Sequence, residues 1–175
     1  RRMKVGDAEV IALVDGIARR PLGEEFVKNA PLAEVRSLLA SQGLPTDYID
    51  VPFTPFLVMV GGRKILLDTG LGEFGGPTTG KLLDNLRAAG VPPADIDTVR
   101  ISHYHGDHIN GLRNKAGEMV FPRAKIMVPA VEHAFWTDDT RMASAPAGMK
   151  GAFENVRRTF ATMPAETLVP FAAGA

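Results

Sequence analysis

The sequence predicts a layered α/β fold in a single domain, and three observations support this. Segments with strand and helix patterns intermix along the whole chain, which is typical of layered α/β architectures. The length of 175 residues suits one domain. Hydrophobic residues make up 45% of the chain and charged residues 23%, an ordinary balance for a globular protein.

The charge balance and the residue types exclude several classes of function. Twenty basic residues cancel twenty acidic ones, so no overall field attracts nucleic acid or an anionic membrane. No apolar run approaches the length of a membrane span. The chain has no cysteine, which excludes disulfides, thiolate ligands and a cysteine nucleophile. We therefore expect a small-molecule substrate rather than a nucleic acid or a membrane as the partner.

The first part of the chain predicts a strand, a helix and a hairpin, in that order. Ala8–Gly16 is a short apolar run that an Asp-Gly turn closes. Pro31–Gly43 has leucines and a valine at helical spacing, with glycine at its C-terminal end. Thr54–Gly70 predicts a β-hairpin around the Gly61-Gly62 turn, and its second strand brings Asp68 to the strand end.

The rest of the chain alternates helices with short strands. Lys81–Gly90 predicts a helix, and "TVRIS" (Thr98 to Ser102) predicts a short buried strand. Further elements are a strand over Lys125–Pro129 and helices in "AVEHAFW" and "GAFENVRRTFATM". The second of these helices has apolar residues on one face, and we expect two aromatic residues of this region in the core rather than in a site: Phe121 and Phe153.

The most informative stretch is "SHYHGDH", which follows the predicted strand. Three of the four histidines and one aspartate lie between His103 and His108. If the strand continues briefly, His103 and His105 point to the same side, because strand side chains alternate. Gly106 then allows a sharp turn, after which Asp107 and His108 can face a second position. Imidazole and carboxylate together are typical ligands of Zn²⁺ and similar ions, so we predict a metal site rather than a polar surface loop.

This His-x-His-x-Asp-His pattern resembles the signature of the metallo-β-lactamase-fold superfamily. An "LLDTG" turn upstream, at Leu66 to Gly70, and the buried strand before the histidines also match that family. The flanking segments are similar to its methyl parathion hydrolase-like branch, which includes lactone-hydrolysing relatives: "VDGIARRPLGEEFVKNA", "VPFTPFLV", "FP.AKIMVPAVEHAFW" and "GAFENVRR". The resemblance covers essentially the whole chain and implies an α/β protein with the family's αββα sandwich.

The resemblance implies a binuclear metal-dependent hydrolase. His103 and His105 would bind the first metal, and Asp107 and His108 the second. A hydroxide held between the metals would attack an ester, lactone or phosphotriester, and Asp107 could orient it or move its proton. Zinc is the expected metal, with manganese, cobalt or iron as alternatives. His105 stands where the di-iron oxygen reductases of the family carry glutamate, which favours hydrolysis.

The resemblance also implies roles outside the ligand set. Asp68 would hold the ligand loop through hydrogen bonds, although a turn-capping role before Thr69-Gly70 is an alternative that is compatible with it. By similarity to this branch, Phe135 and Trp136 are candidates for an apolar substrate wall, although a single aromatic residue on a predicted helix more often belongs to the core. His133 lies in a helical pattern and is expected to be a packing or surface histidine rather than a ligand. Asp138 and Asp139 are expected at a helix end or in a loop.

Three further ligands of the family are not found in this sequence: a histidine in a Gly-His turn, a bridging aspartate and a last histidine. We therefore expect one domain over residues 1–175 that is incomplete at its C-terminus and supplies mainly the N-terminal half of the sandwich. The remainder would come from missing sequence or from another chain. A homodimer is a further expectation, and the compartment stays open between a bacterial cytoplasm and export to the periplasm.

Two other functions remain open from the sequence. The chain could be an inactive fragment or an interaction module that binds metal weakly through the same four side chains. A β-lactamase is the third hypothesis, because a fold of this kind supports many chemistries.

Overall fold

The computed structural model describes residues 1–172, and two β-sheets organise this part of the chain. The strands are β1 (Arg2–Val5), β2 (Ala8–Ala12), β3 (Gly16–Pro21), β4 (Tyr48–Phe53), β5 (Phe56–Val60), β6 (Arg63–Leu67), β7 (Thr98–Arg100), β8 (Lys125–Pro129) and β9 (Leu168–Phe171). Seven of them form one sheet in the order β1-β2-β5-β6-β7-β8-β9. The other two, β3 and β4, form a sheet of their own.

The helices lie between these strands. They are α1 (Leu32–Ser41), α2 (Leu82–Ala88), α3 (Gly106–Ile109), α4 (Ala130–Thr137), α5 (Asp139–Ser144) and α6 (Ala147–Phe160). Short 3₁₀ turns occupy Gly72–Phe74, Pro93–Asp95 and Asn110–Leu112. No helix within residues 1–172 is long and apolar enough to cross a membrane.

The large sheet is antiparallel at one side and parallel at the other. Strands β1, β2, β5 and β6 pair antiparallel, whereas β6, β7, β8 and β9 pair parallel. Parallel strands end at the same edge of a sheet, and the segments that follow them meet there. The segments after β6, β7 and β8 are therefore brought to one edge.

The chain divides into two compact units, of which the larger contains Arg1–Gly16 and the chain from Phe53 onwards. Its core consists of side chains from the sheet and from α2 and α6. Leu57, Leu66, Val99 and Ile126 are completely buried on the central strands. Phe121, Phe153, Val156 and Phe160 are also buried, which confirms the core positions that the sequence predicted for the two aromatic residues of this region.

The smaller unit is Ile17–Pro52, and it contains the β3–β4 pair and α1. Arg19 on β3 holds Asp50 on β4 through two hydrogen bonds of 2.8 and 2.9 Å, and its guanidinium lies over the ring of Tyr48. Helix α1 begins after Pro31 and ends before Gly43, which has a positive φ of 66°. Glycine adopts this conformation without a steric penalty, so it ends the helix as its position in the sequence predicts.

Most predicted elements of the larger unit are present. The hairpin turns at Gly61-Gly62, where both residues have positive φ, and β8 has the predicted bounds Lys125–Pro129. Two predictions were wrong in extent. Strand β7 ends at Arg100, so it does not reach the histidines, and α6 begins at Ala147 and ends at Phe160, whereas the predicted helix is the segment "GAFENVRRTFATM".

A close backbone contact joins the loop that follows the histidines to the turn that follows β6. A Cβ atom on Gly111 would overlap the carbonyl oxygen of Thr69. The main-chain N–H of Gly111 also donates to the carbonyl of Gly70 at 3.2 Å. Only glycine allows the two segments to approach this closely.

We predict that Gly111→Ala destabilises the protein by about 3 kcal/mol, because the added methyl group forces the two backbones apart. Urea denaturation followed by circular dichroism measures the change. Gly148→Ala is the matched control, since Gly148 lies in α6 with nothing within 4 Å of its Cβ position. The control should be unchanged or stabilised by up to about 1 kcal/mol. Equal unfolding midpoints for the two variants would contradict the packing argument.

Candidate metal centre

The residues of the predicted site meet at the edge where the parallel strands end. Asp68 follows directly after β6, and the histidine cluster begins three residues after β7. The backbone joins the two segments as well: the N–H of Asp68 donates to the carbonyl of Arg100 at 3.0 Å, and the N–H of Thr69 donates to the carbonyl of His108 at 2.9 Å. The parallel topology therefore brings residues 40 positions apart into contact.

The carboxylate of Asp68 is the centre of the hydrogen-bond network at this edge. Its Oδ1 accepts the main-chain N–H of Ser102 at 2.7 Å, and its Oδ2 accepts the Ser102 hydroxyl at 2.8 Å. The same Oδ2 lies 2.8 Å from Nδ1 of His108. Asp68 has a positive φ of 61°, a conformation that few residues other than glycine, asparagine and aspartate adopt. The backbone of Asp68 therefore adopts an unfavourable conformation, and in this conformation the Asp68 side chain makes the three contacts.

His108 lies between two carboxylates. Its Nδ1 contacts Asp68 and its Nε2 lies 3.1 Å from Oδ2 of Asp107. Burial of the ring lowers its pKa, but the hydrogen bonds to Asp107 and Asp68 outweigh this and raise the pKa of His108 to about 9. The hydrogen bond from His108 holds the pKa of Asp107 below its usual value, against the effect of burial. The surroundings of His108 therefore stabilise positive charge.

His103 and His105 lie beside His108 in a different environment. The ring of His103 is 4.7 Å from that of His105 and 3.9 Å from that of His108, measured between centroids. Burial, followed by the nearby rings of His108 and His105, lowers the pKa of His103. A neutral imidazole is the form that binds metal. The Ser102 hydroxyl lies 3.1 Å from Nδ1 of His103, which leaves its Nε2 for a ligand.

The local backbone corrects two sequence expectations. His103 and His105 do not extend the strand but lie in the loop after it. Gly106 does not make a turn of positive φ; it begins α3, with His105 as the residue that precedes the helix. Asp107 and His108 then fall within the first turn of α3, because helix formation starts at once. The two pairs of side chains are still brought together, through a helical turn rather than through a sharp bend.

The part of the chain that the structure describes contains no site with three ligands for one metal ion. Within residues 1–172, no group of three or more histidine, aspartate or glutamate side chains is arranged to hold a single ion. The sequence predicts only two ligands from this chain for each metal, so such a group is not required by the prediction. The donor types still fit divalent metal: imidazoles with a carboxylate, and a histidine whose other ring nitrogen contacts a carboxylate.

Trp136 does not form an exposed aromatic surface. This side chain is only 7% exposed and packs at 4.7 Å against Phe153 in the core, because its indole faces α6. The alternative of a core position therefore holds for Trp136, and its ring is not a candidate substrate wall. Phe135 is partly buried. It lines a cavity of about 200 Å³, together with Arg141 and Met149.

His133 and Asp138 lie where the sequence suggested. His133 is half-buried, with Nδ1 2.8 Å from the Tyr104 hydroxyl, and it is a packing histidine outside the cluster. Asp138 caps the N-terminus of α5 by accepting from the N–H groups of Thr140 and Arg141. Neither residue contacts the cluster through a hydrogen bond in the described part of the chain.

Two residues that support the site, the exposed Ser102 and the buried Asp15, are not among the residues that the sequence predicts for it. Ser102 lies between Asp68 and two histidines, with its hydroxyl 3.2 Å from Nδ1 of His108 as well as near His103. Asp15 is completely buried and accepts main-chain N–H groups from Leu71, Gly80 and Leu82 at 2.9, 3.3 and 3.0 Å. It therefore fixes the loop after Asp68. The sequence signal for Asp15, an Asp-Gly pair, had indicated only a turn.

Three cavities of about 290, 450 and 200 Å³ have no residue of the histidine cluster in their lining. One of about 290 Å³ lies behind the ligand loop and is lined by Thr69, Gly111, Arg113 and residues of α2. The histidines themselves lie at an open edge of the sheet.

Comparisons with known proteins agree with the motif. A sequence model of the metallo-beta-lactamase superfamily matches residues 54–145, which include Asp68 and the entire histidine cluster. Ribonuclease Z from Aeropyrum pernix is 43% identical over 51 residues, which cover 29% of this chain and 14% of that protein.

Solved structures resemble the chain over its full length. AidC, described as a dizinc quorum-quenching lactonase, is 28% identical with a TM-score of 0.86, and the match covers 100% of this chain and 62% of AidC. AbOPH, a hydrolase of the beta-lactamase superfamily, is 27% identical with a TM-score of 0.87 over 99% of this chain and 61% of its own length. The chain thus spans about three fifths of the length of these two proteins.

We predict that replacing Asp68 destabilises the protein, and that the effect grows with the number of hydrogen bonds removed. Asp68→Ala removes all three acceptor interactions and places alanine at positive φ, so the free energy of unfolding should fall by about 3 kcal/mol. Asp68→Asn keeps one acceptor oxygen and tolerates positive φ, so its effect should be about half as large. Urea denaturation measures both.

The control for this series is Asp84→Ala, because the Asp84 side chain is 81% exposed on α2. Its effect should stay within about 0.5 kcal/mol. If Asp68→Ala were no more destabilising than Asp84→Ala, the network around Asp68 would not stabilise the fold.

Proposed function

The chain belongs to the metallo-beta-lactamase superfamily, and from this premise we propose that it carries the histidine-rich part of a binuclear metal-dependent hydrolase. The observation that carries the proposal is the cluster His103, His105, Asp107 and His108 at the end of β7, with Asp68 against His108. A carboxylate on the second nitrogen of a ligating histidine fixes the ring and strengthens it as a ligand.

We assign two divalent ions to these side chains, one to His103 and His105 and one to Asp107 and His108. Zinc is the metal we propose, because AidC is described as dizinc and because imidazole and carboxylate ligands suit it. Manganese, cobalt and iron accept the same ligands and are the alternatives. When bound, two such ions lower the pKa of water and polarise the carbonyl or phosphoryl oxygen of a substrate.

The residues of the chain orient the ligands and the attacking water. The hydrogen bond from His108 lowers the pKa of Asp107, so its carboxylate is ionised, which suits a metal ligand that also orients the attacking water. Asp68 and Ser102 orient the rings of His108 and His103 through the contacts described above. These contacts limit the freedom of the two rings before a metal binds.

A lactone is the substrate class that we propose first, followed by aryl esters and phosphotriesters. The support is the likeness to AidC, a quorum-quenching lactonase, over the full length of this chain. The fold itself does not select a substrate, because one scaffold supports many chemistries. A β-lactamase activity remains a weaker alternative from the sequence.

The second candidate function is a module that binds metal weakly and has no catalytic activity. It is favoured by one observation, namely that the described residues contain no group of three ligands for one ion. The two functions differ in metal content and in turnover, and one experiment separates them.

We predict that the intact protein, purified without chelator, contains close to two metal ions per chain by plasma mass spectrometry. Chelation should abolish hydrolysis, and added zinc should restore it, because the chemistry depends on the ions. Full activity after complete removal of metal would refute the proposal. Less than one ion per chain with no turnover would support the weak-binding module instead.

We predict that a lactone is hydrolysed with a kcat/KM at least about tenfold above that of a β-lactam, which corresponds to about 1.4 kcal/mol in transition-state stabilisation. The measurement compares lactones, aryl esters, phosphotriesters and β-lactams at equal metal loading. The His103→Ala variant serves as the background control. A β-lactam as the best substrate would reverse the order of the two hypotheses.

A further inference from the structure

Tyr104 separates the two histidines that we assign to the first metal, and its side chain is directed away from them. It is 1% exposed, whereas His103 is partly buried and His105 is exposed. The three residues therefore form a short segment with its central side chain in the core and its outer side chains towards solvent. Contacts that hold Tyr104 in place therefore also hold the backbone that carries the imidazoles of His103 and His105.

The ring of Tyr104 is held on two sides. It stacks on Phe160 of α6 with centroids 4.6 Å apart and planes 6° from parallel. Its hydroxyl lies 2.8 Å from Nδ1 of His133, and burial raises the pKa of Tyr104, so the hydroxyl stays protonated. Burial also lowers the pKa of His133, and the neutral ring can accept this proton at Nδ1.

The main chain of Tyr104 is held by a carboxylate. Oε2 of Glu132, on the first turn of α4, accepts the N–H of Tyr104 at 2.8 Å. The same oxygen accepts the indole N–H of Trp136 at 3.2 Å. Trp136 is one helical turn further along α4 and is fixed in the core, so it orients the carboxylate. Glu132 thus connects α4 to the peptide between His103 and Tyr104.

His105 is the ligand that depends most on this connection. Among the hydrogen bonds of residues 1–172, the ring of His108 has Asp68 and Asp107, and that of His103 has Ser102, but none joins the ring of His105. The backbone therefore sets where the His105 side chain starts, and Tyr104 on one side and the N–H groups of His108 and Ile109 on the other hold that backbone.

We infer that Glu132 is a positioning residue for the first metal, a role that rests on the proposed function. By accepting the Tyr104 N–H, it holds the two flanking imidazoles in the orientation that binds an ion. Asp68 holds His108 by a direct contact with the ring, whereas Glu132 acts through the backbone. Groups that support metal ligands in this way contribute about tenfold or more to affinity.

The experiment measures zinc affinity of the intact protein by competition with a chromophoric chelator. Glu132→Ala removes the acceptor and should weaken one of the two sites by about tenfold or more. Glu132→Gln keeps an acceptor oxygen and should stay within about 1.5-fold of the parent protein. Glu154→Ala, which removes an exposed glutamate from α6, is the matched control and should not change the affinity.

A second measurement separates positioning from general stability. Hydrogen exchange should show a Tyr104 amide that exchanges at least about tenfold faster in Glu132→Ala, because its acceptor is gone. The amides of Val99 on β7 and Ile126 on β8 should exchange as before. A uniform acceleration of all three amides would mean that the fold is loosened as a whole, and it would overturn the inference.

The outcomes distinguish this inference from the proposed function. Absence of zinc binding by the parent protein would refute the proposed function and the inference with it. Zinc binding that is equal in the parent and in Glu132→Ala would overturn the inference alone. Equal reductions of affinity in Glu132→Ala and Glu132→Gln would also overturn it, because charge rather than the acceptor would then be responsible.

A further variant applies if Glu132→Ala does not fold. Trp136→Phe keeps an aromatic ring but removes the indole N–H that orients Glu132, and zinc affinity should fall by about threefold with a faster Tyr104 amide. Unchanged affinity and unchanged exchange in this variant would overturn the inference.

Discussion

The contact between Asp68 and the segment that follows β7 is the interaction on which the site depends. Strands β6 and β7 are parallel neighbours, so the residues after them emerge at the same edge of the sheet. Asp68 joins them there by accepting two hydrogen bonds from Ser102 and by contacting His108. The positive φ of Asp68 turns its carboxylate towards this segment, and the contacts offset the cost of that conformation.

The electrostatic environment differs between neighbouring histidines. Two carboxylates outweigh burial and raise the pKa of His108, whereas burial and the adjacent imidazoles lower the pKa of His103. At this edge of the sheet, the surroundings of His103 favour a neutral imidazole, whereas the carboxylates around His108 favour positive charge. Both properties suit the binding of a cation, because a neutral ring donates its lone pair and the carboxylates stabilise the added charge.

Local sequence signals predicted much of the fold and the identity of the cluster, but not the contacts that arrange it. The Gly61-Gly62 turn and the β8 strand depend on near neighbours, and both are found as predicted. Gly106 was misjudged because the sequence alone does not distinguish a glycine turn from a helix start. Glu132 and Asp15 were not identified, because their partners lie 28 and 56 or more residues away and only the tertiary fold brings them together.

The contacts made by Asp68 and Glu132 matter because this chain supplies only part of the ligand set that we propose for each ion. Each proposed ion receives two side chains from this chain, whereas zinc in proteins takes about four ligands, of which three or four are protein side chains. Ligands that are already oriented lose less freedom when an ion binds, so the free energy of binding is more favourable. Asp68 reduces this cost for His108 and, by our inference, Glu132 reduces it for His103 and His105. The sheet edge and α4 therefore hold opposite ends of one short segment, because Asp68 contacts His108 near one end and Glu132 accepts the Tyr104 N–H near the other.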